Sequence, residues 1–490
     1  MKKIDLIFIL LLVVVLSVFW LPTIDIPYWW DSAGYVVHTA RQFLETNFNP
    51  LVPSDEYTDF AHPPFFVTTL AASWKIFGES LFISHLVNFI FAFLALLYTY
   101  LLGKELIKDK ITGSLIGFFA GILLLITPVF LAQLGIIYVE IPVAAFAVMT
   151  VYYAFKKNLL GYLVSATLMI LTKEMAIFII LIILAGIFLA KIYQWLKEKE
   201  KLNLTELAKT IFLWSIPLFI LFLWFLYHKI IAGWWLVIPG RELGGEVVIS
   251  FNKIRAVLKF LFLEQWRWIL TFFIVFSGFF MVSKRDLREN LLNFKILLII
   301  LILLGAALIF GLTEFLHRYI ILGLPFFFLL FFYCLALFFV TKSVRKKVGV
   351  FLGITLILFL FFATSWDDHR QIKSWHFPPL EENLEYLDVI DIGKEMASFV
   401  EENYPEAVVY TGFPSHYMLG EPFQHYIPKP IEVYDCRYYK EGDRVDLIVF
   451  HFLSPSEINC LKMIKELRFL PEKIFAKNGK KMEIYKNPNL

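Results

Sequence analysis

The chain has little charge and almost no cysteine: 18% of its 490 residues are Asp, Glu, Lys or Arg, and 3 are Cys. So few cysteines exclude a disulfide framework. Cys334 sits in an apolar run and reads as a small packing residue, whereas Cys436 and Cys460 fall in the polar tail and are close enough in sequence to pair. That tail carries no nucleotide-binding loop, metal knuckle or nucleophile elbow. No basic stripe with interleaved aromatics marks a soluble face, which sets nucleic acid aside. No small-x-small cleavage site precedes Trp20-Leu21-Pro22, so the first apolar run reads as a retained helix rather than a secretory signal.

What the chain has in abundance is apolar surface. Hydrophobic residues make up 59%, Phe alone contributes 53, and mean hydropathy is +0.70. A soluble core of this length needs far less, so the composition indicates a polytopic membrane protein. Crossing a hydrocarbon layer of ~30 Å takes roughly 20 helical residues, and the sequence offers about eleven such spans. They are placed near 4–22, 81–103, 112–132, 139–155, 159–172, 176–194, 209–229, 259–282, 294–312, 319–340 and 348–365. The runs at 139–155 and 159–172 are short, which implies either re-entrant segments or a locally thinned bilayer.

Orientation follows from the basic residues, because the net charge of +3 says little by itself. With the N-terminus in the cytoplasm, alternate loops carry Lys104, Lys108 and Lys110; Lys156 and Lys157; Lys197, Lys199 and Lys201; Lys284, Arg285 and Arg288; and Lys342, Arg345, Lys346 and Lys347. The positive-inside rule then places all of them inside, and residues 23–80 and the tail after about 366 outside. In the tail, mixed composition and period-two alternation predict a small α/β domain (366–490). Its elements are a helix over 387–404, strands over 407–411, 430–435 and 445–451, a helix over 456–467, and a hairpin turning at Asn478-Gly479 between 472–476 and 481–485. Acceptor contact or structural support suits it best.

The outer ends of the helices collect charges that are costly to keep beside a bilayer, so each calls for a partner or a task. Asp31 follows Trp29-Trp30 just past the first span, and Ser32 to Phe43 can form an amphipathic surface helix with Tyr35, His38 and Gln42 on one face. A plain helix cap is the alternative for Asp31. His62-Pro63-Pro64 closes the acidic segment that holds Asp55, Glu56, Tyr57 and Asp59, and its prolines keep His62 extended. Glu140 opens the fourth span, either as a functional carboxylate or as an acid favoured at a helix N-terminus. Lys173, next to Glu174, and Arg318, in His317-Arg318-Tyr319 after Glu314, are cations where the topology does not ask for them. They suit an anionic head group such as a phosphate, or else form local pairs Lys173–Glu174 and Glu314–Arg318.

This order of features resembles the polytopic glycosyltransferases of the GT-C fold. The features are an apolar span, an exit Asp, an amphipathic segment, His-Pro-Pro, Phe-Gly, an acid opening a later span, Thr-Lys and Arg-Tyr. Within the fold it is most similar to the dolichyl-phosphate-mannose protein mannosyltransferases and their aminoarabinose-transferring relatives. The similarity is best over 1–175, weaker through 310–325 and absent from the tail. Relatives often have consecutive acids in the first loop, where this chain has Asp31 alone, and Asp where this chain has Glu140.

The resemblance implies an α-helical polytopic membrane protein in a multi-pass plasma-membrane setting, with a lipid-linked sugar donor on a polyprenyl or dolichyl phosphate. The acceptor would be a protein hydroxyl, a lipid or a glycan. Asp31 would act as general base in an inverting transfer, Glu140 beside it; Lys173 and Arg318 would hold the donor phosphate; and His62, Tyr35 and Tyr319 would position donor or acceptor. Whether a divalent metal (Mg, Mn or Zn) takes part is left open, with Asp31, His62 and Glu140 as candidate ligands. The rival readings are a glycan-export or assembly subunit and a secondary transporter; the charges at outer helix ends and the lack of a repeat weigh against the latter.

Overall fold

Runs of Leu, Ile, Val and Phe with no polar face satisfy their backbone only by closing it into helices, which then pack on one another or on lipid. A computed structural model describes residues 3–49, 62–198, 203–235, 251–283, 293–312, 316–338, 343–368, 381–451 and 457–489. Asp55, Glu56, Tyr57 through Ala61, Lys199, Lys201, Lys284, Arg285, Arg288, Glu314 and Lys342 lie outside them. Six helices among the described residues are long and apolar enough to cross a membrane: Lys3–Thr23, Leu81–Leu106, Glu174–Leu196, Leu204–Ala232, Phe294–Leu312 and Val344–Ala363. The number rises to 8 if each of two bent pairs counts as one span. Glu140–Phe155, Leu159–Thr172 and Leu324–Phe338 fall where spans are expected but are shorter. The chain is an integral membrane protein, and among the described residues six to eight spans qualify by length and composition, against the eleven expected, with the shorter apolar helices not counted.

Both bent pairs depart from the sequence reading, which has one straight helix at each place. At 112–132 the helix Lys110–Ile126 stops and Pro128–Gly135 leaves it at 66°. Thr127 is extended, as a residue before proline prefers, and Pro128 starts the second helix, where its missing N–H costs nothing. At 259–282, Phe251–Phe262 and Arg267–Ser283 meet at 90° through a turn in which Gln265 and Trp266 take positive φ. The buried Arg267 guanidinium donates to the carbonyls of Phe260 and Leu261 that the break would otherwise leave bare.

The first loop holds more structure than an amphipathic helix. A π-helical turn, Ser32–Val36, runs into Val37–Glu45, and a further helix, Phe65–Phe77, precedes the second long span.

The C-terminal part forms the expected α/β domain. Strands β1 (Val408–Thr411), β2 (Glu432–Asp435), β3 (Leu447–His451), β4 (Leu470–Lys477) and β5 (Lys480–Lys486) make a sheet in the order β2-β1-β3-β5-β4. β2, β1 and β3 run parallel, with Val409 opposite Val433 and Leu447. β5 pairs antiparallel with β3 and β4, and Asn478 and Gly479 take the positive φ that the tight hairpin requires. Helix Tyr386–Asn403 covers the face carrying Val449, Phe475 and Ile484, and Glu457–Glu466 the face carrying Tyr410, Ile448 and Phe450. Cys436 and Cys460 are joined by a disulfide that ties the end of β2 to the second helix.

Candidate functional site

Arg318 organises the site. The 3₁₀ turn His317–Leu322 carries its side chain into the protein, where 2% remains exposed. A guanidinium presents its donors in a fixed planar fork, and here each edge meets a different carboxylate. Nη2 donates to Asp31 Oδ2 at 2.5 Å, Nε to Glu140 Oε1 at 3.2 Å, and Nη1 to Glu381. The ring of Tyr138 lies 4.4 Å from the guanidinium carbon. Three chain segments far apart in sequence therefore converge on the Arg318 side chain.

Local structure aims each partner. Trp30 takes a φ of 54°, a strained setting for a bulky residue, between buried Trp29 and the turn that begins at Ser32. Asp31 stands at the cap position of that turn but makes no side-chain cap bond, so the simple-cap alternative does not describe it. Glu140 is the first residue of Glu140–Phe155, and its Oε1 is shared with Lys173 Nζ at 2.8 Å. Its Oε2 is buried without a hydrogen-bond partner among the described residues. Lys173 is extended between Leu159–Thr172 and the turn Glu174–Ala176, with its ammonium 3.7 Å from the centre of the Tyr319 ring.

The local pair expected between Lys173 and Glu174 does not form. Glu174 instead accepts from or pairs with His62 Nδ1 at 2.9 Å, because the extended backbone at Lys173 turns the two neighbours to opposite sides. Of the pair Glu314–Arg318, Glu314 lies outside the described residues, and Arg318 is engaged elsewhere.

Glu381 and Glu382 escaped the sequence reading. They sit before the helix Tyr386–Asn403, and both helix breaks hold them: Gln133 of the first bent pair donates to the Glu381 carbonyl at 3.4 Å, and Gln265 of the second to that of Glu382 at 3.1 Å. His317, stacked on Phe260 at 4.1 Å, pairs with Glu382 at 3.2 Å. Burial beside Arg318, with Asp31 and Glu140 also near, pushes the Glu381 carboxyl up to about 7, although Arg318 itself pulls it down.

Beside Lys173 and Tyr319 lies a small pocket, otherwise walled by Val143, Met175, Ala176, Phe310 and Leu322, with Glu140 at its polar end. Tyr35, by contrast, lies on the π-helical turn that faces the C-terminal domain. Among the described residues no group of three His, Cys, Asp or Glu could hold a metal ion. Asp31 and Glu140 face Arg318 and Lys173, and His62 faces Glu174, so the three candidate ligands do not converge and no step below passes through a metal.

Comparison with solved structures gives the architecture a place. ArnT from Cupriavidus metallidurans matches 98% of this chain and 97% of its own, with a TM-score of 0.60 at 14% identity in the apo state and 0.57 at 13% bound to undecaprenyl phosphate. The chain has the GT-C fold. The archaeal oligosaccharyltransferase AglB from Archaeoglobus fulgidus, in complex with an inhibitory peptide and a dolichol-phosphate, covers 99% of this chain and 75% of its own at a TM-score of 0.52 and 11% identity. No protein-family model matches the sequence, and a comparison with curated proteins gives no match. GT-C architecture thus accounts for the helical body and the domain that follows it, and the charged cluster sits where the two meet.

Proposed function

We propose that the protein transfers a monosaccharide from a polyprenyl- or dolichyl-phosphate carrier to an acceptor on the outer side of the membrane. One observation carries this reading: two buried cations, Lys173 and Arg318, bridged by Glu140 at the polar end of an apolar pocket, with Asp31 on the same guanidinium. Water-poor surroundings strengthen such cations toward an anion, and a lipid phosphate brings both the anion and an apolar chain. ArnT, whose fold matches nearly the whole chain, is seen bound to undecaprenyl phosphate. The disulfide belongs to an oxidising compartment, in keeping with an outward-facing C-terminal domain and a cytoplasmic N-terminus.

In this mechanism Asp31 takes the proton of the acceptor hydroxyl while its oxygen bonds to the anomeric carbon from the face opposite the phosphate. The bond from that carbon to the phosphate oxygen breaks, its electron pair leaves with the phosphate, and configuration inverts. Lys173 and Arg318 stabilise the charge that gathers on the leaving group. Arg318 orients Asp31, so base and leaving-group site share one anchor. The unpartnered oxygen of Glu140 accepts a sugar hydroxyl, and His62, held by Glu174, positions donor or acceptor.

The test is transfer of labelled sugar from a panel of polyprenyl-phosphate monosaccharides by the purified protein in lipid bilayers. Transfer or release from at least one donor, lost in Arg318→Ala, supports the reading; no reaction with any donor by folded protein contradicts it.

A further inference from the structure

The charge count at Arg318 conflicts with the arrival of an anion. Three carboxylates, Asp31, Glu140 and Glu381, face two cations, Lys173 and Arg318, so with Glu381 ionised the cluster is one negative charge in excess. Each of the three Arg318 nitrogens already donates to a carboxylate. A phosphate added to this arrangement finds each Arg318 nitrogen already donating to a carboxylate, with at most the second hydrogens of Nη1 and Nη2 left to it, and meets like charge in a poorly solvated site. One carboxylate has to give way.

The three are not equally fixed. Asp31 follows the strained Trp30 and is built into the π-helical turn; Glu140 begins a helix and is gripped by Lys173 as well. Glu381 belongs to an irregular stretch held mainly through backbone carbonyls, by Gln133 and Gln265, which leaves its side chain free to rotate while the stretch stays in place. We infer that Glu381 occupies the donor-phosphate position on Arg318 in the donor-free protein and is displaced when the lipid phosphate binds. The inference rests on the donor reading above and adds a residue to it.

Displacement requires that the carboxylate find water or a proton. Facing Glu381 are Arg318, Asp31 and Glu140, with the His317–Glu382 pair next along the chain. Protonation removes its claim on Arg318 and the excess charge together. Glu381 thus acts as a selectivity gate: a ligand that cannot outcompete a carboxylate for the guanidinium edge, such as a neutral lipid, leaves it closed. It also links site occupancy to the C-terminal domain, since Glu385 in the same stretch pairs with Lys480 of β5 at 2.6 Å.

The probe is undecaprenyl phosphate, titrated against the full-length protein in phosphatidylcholine nanodiscs at pH 6 and pH 8, for wild type and Glu381→Gln. Only the fraction with a protonated Glu381 binds freely, so affinity of the wild type falls by roughly tenfold relative to the variant at pH 8 and the two converge at pH 6. Taking the ratio at each pH cancels the ionisation of the probe. Glu381→Ala replaces the Gln variant if that protein does not fold. Equal or weaker binding by both variants at pH 8, with wild type binding the probe, overturns the exchange and leaves the donor reading standing. No binding by wild type or variants overturns both.

Discussion

A single guanidinium between three acids has consequences that differ for each substitution. Arg318→Lys keeps the charge but offers no planar fork, so Asp31, Glu140 and Glu381 cannot all be satisfied; we expect probe affinity and thermal stability to fall together despite conserved charge. Unchanged melting in detergent would argue that the fork is not structural. Glu140→Ala strips Lys173 of its carboxylate in a buried site, and breaking such a pair costs about 3–5 kcal/mol, readable as a lowered Tm. Burial raises the Glu381 carboxyl from its ordinary 4.5 to about 7. Between those values the folded protein keeps a proton that the unfolded chain has lost, so stability declines as pH rises across that window. The Tm advantage of Glu381→Gln over wild type should therefore grow from pH 5 to pH 8; a constant difference would show that the group does not titrate there. At this scale Asp31, Glu140, Lys173 and Arg318 were legible because a charge stands out against apolar neighbours, although nothing local says that they meet. Glu381 was not, since it lies in a polar stretch among Glu382, Glu385 and other acids, where one more carboxylate carries no contrast.

Elements are where the sequence misleads most. Apolar content locates helices well, and Leu81–Leu106 and Phe294–Leu312 fall close to the expected spans. It does not register a break when both halves are equally apolar, as at Thr127-Pro128 and at Leu263 to Trp266. Those breaks put Gln133 and Gln265 under residues 381 and 382, so the bends serve the site as well as the packing. Glycine supports the same architecture by permitting close approach. Gly117 lies against Gly103 and the backbone of Tyr100, where an added Cβ would overlap the Tyr100 carbonyl. Gly117→Leu should force Leu81–Leu106 and Lys110–Ile126 apart and abolish recovery of folded protein; recovery at wild-type levels with an unchanged Tm would refute the tight contact.

In the whole molecule Tyr28, Trp30, Ala33 and His38 of the first loop join body and domain. Gln424 donates to the Ala33 carbonyl at 3.1 Å, Tyr426 to that of Tyr28 at 3.3 Å, and His38 pairs with Glu421 at 3.0 Å, so the segment expected to lie on the membrane surface is instead covered by the domain. Phe413 packs on Trp30 at 5.0 Å, beside the residue that aims Asp31. The domain therefore supports the site from behind, one of the two roles that its sequence, without any site motif, suggests. Its disulfide closes 24 residues of chain separation, and the loop-entropy account assigns such a bridge about 3 kcal/mol. Cys436→Ser with Cys460→Ser should destabilise the domain by about that free energy, read as a lowered Tm in detergent, and leave Cys334 as the one remaining thiol; no change on reduction or replacement would mean that packing alone holds β2 to its helix.

The central claim is that Asp31 is the base of a sugar transfer whose leaving phosphate is held by Lys173 and Arg318. Its most direct test is single-turnover transfer from a polyprenyl-phosphate monosaccharide with wild type and Asp31→Asn, alongside binding of undecaprenyl phosphate to each. Loss of transfer by several orders of magnitude with probe affinity kept within a few-fold is the predicted result. Full transfer by a folded Asp31→Asn protein would contradict it.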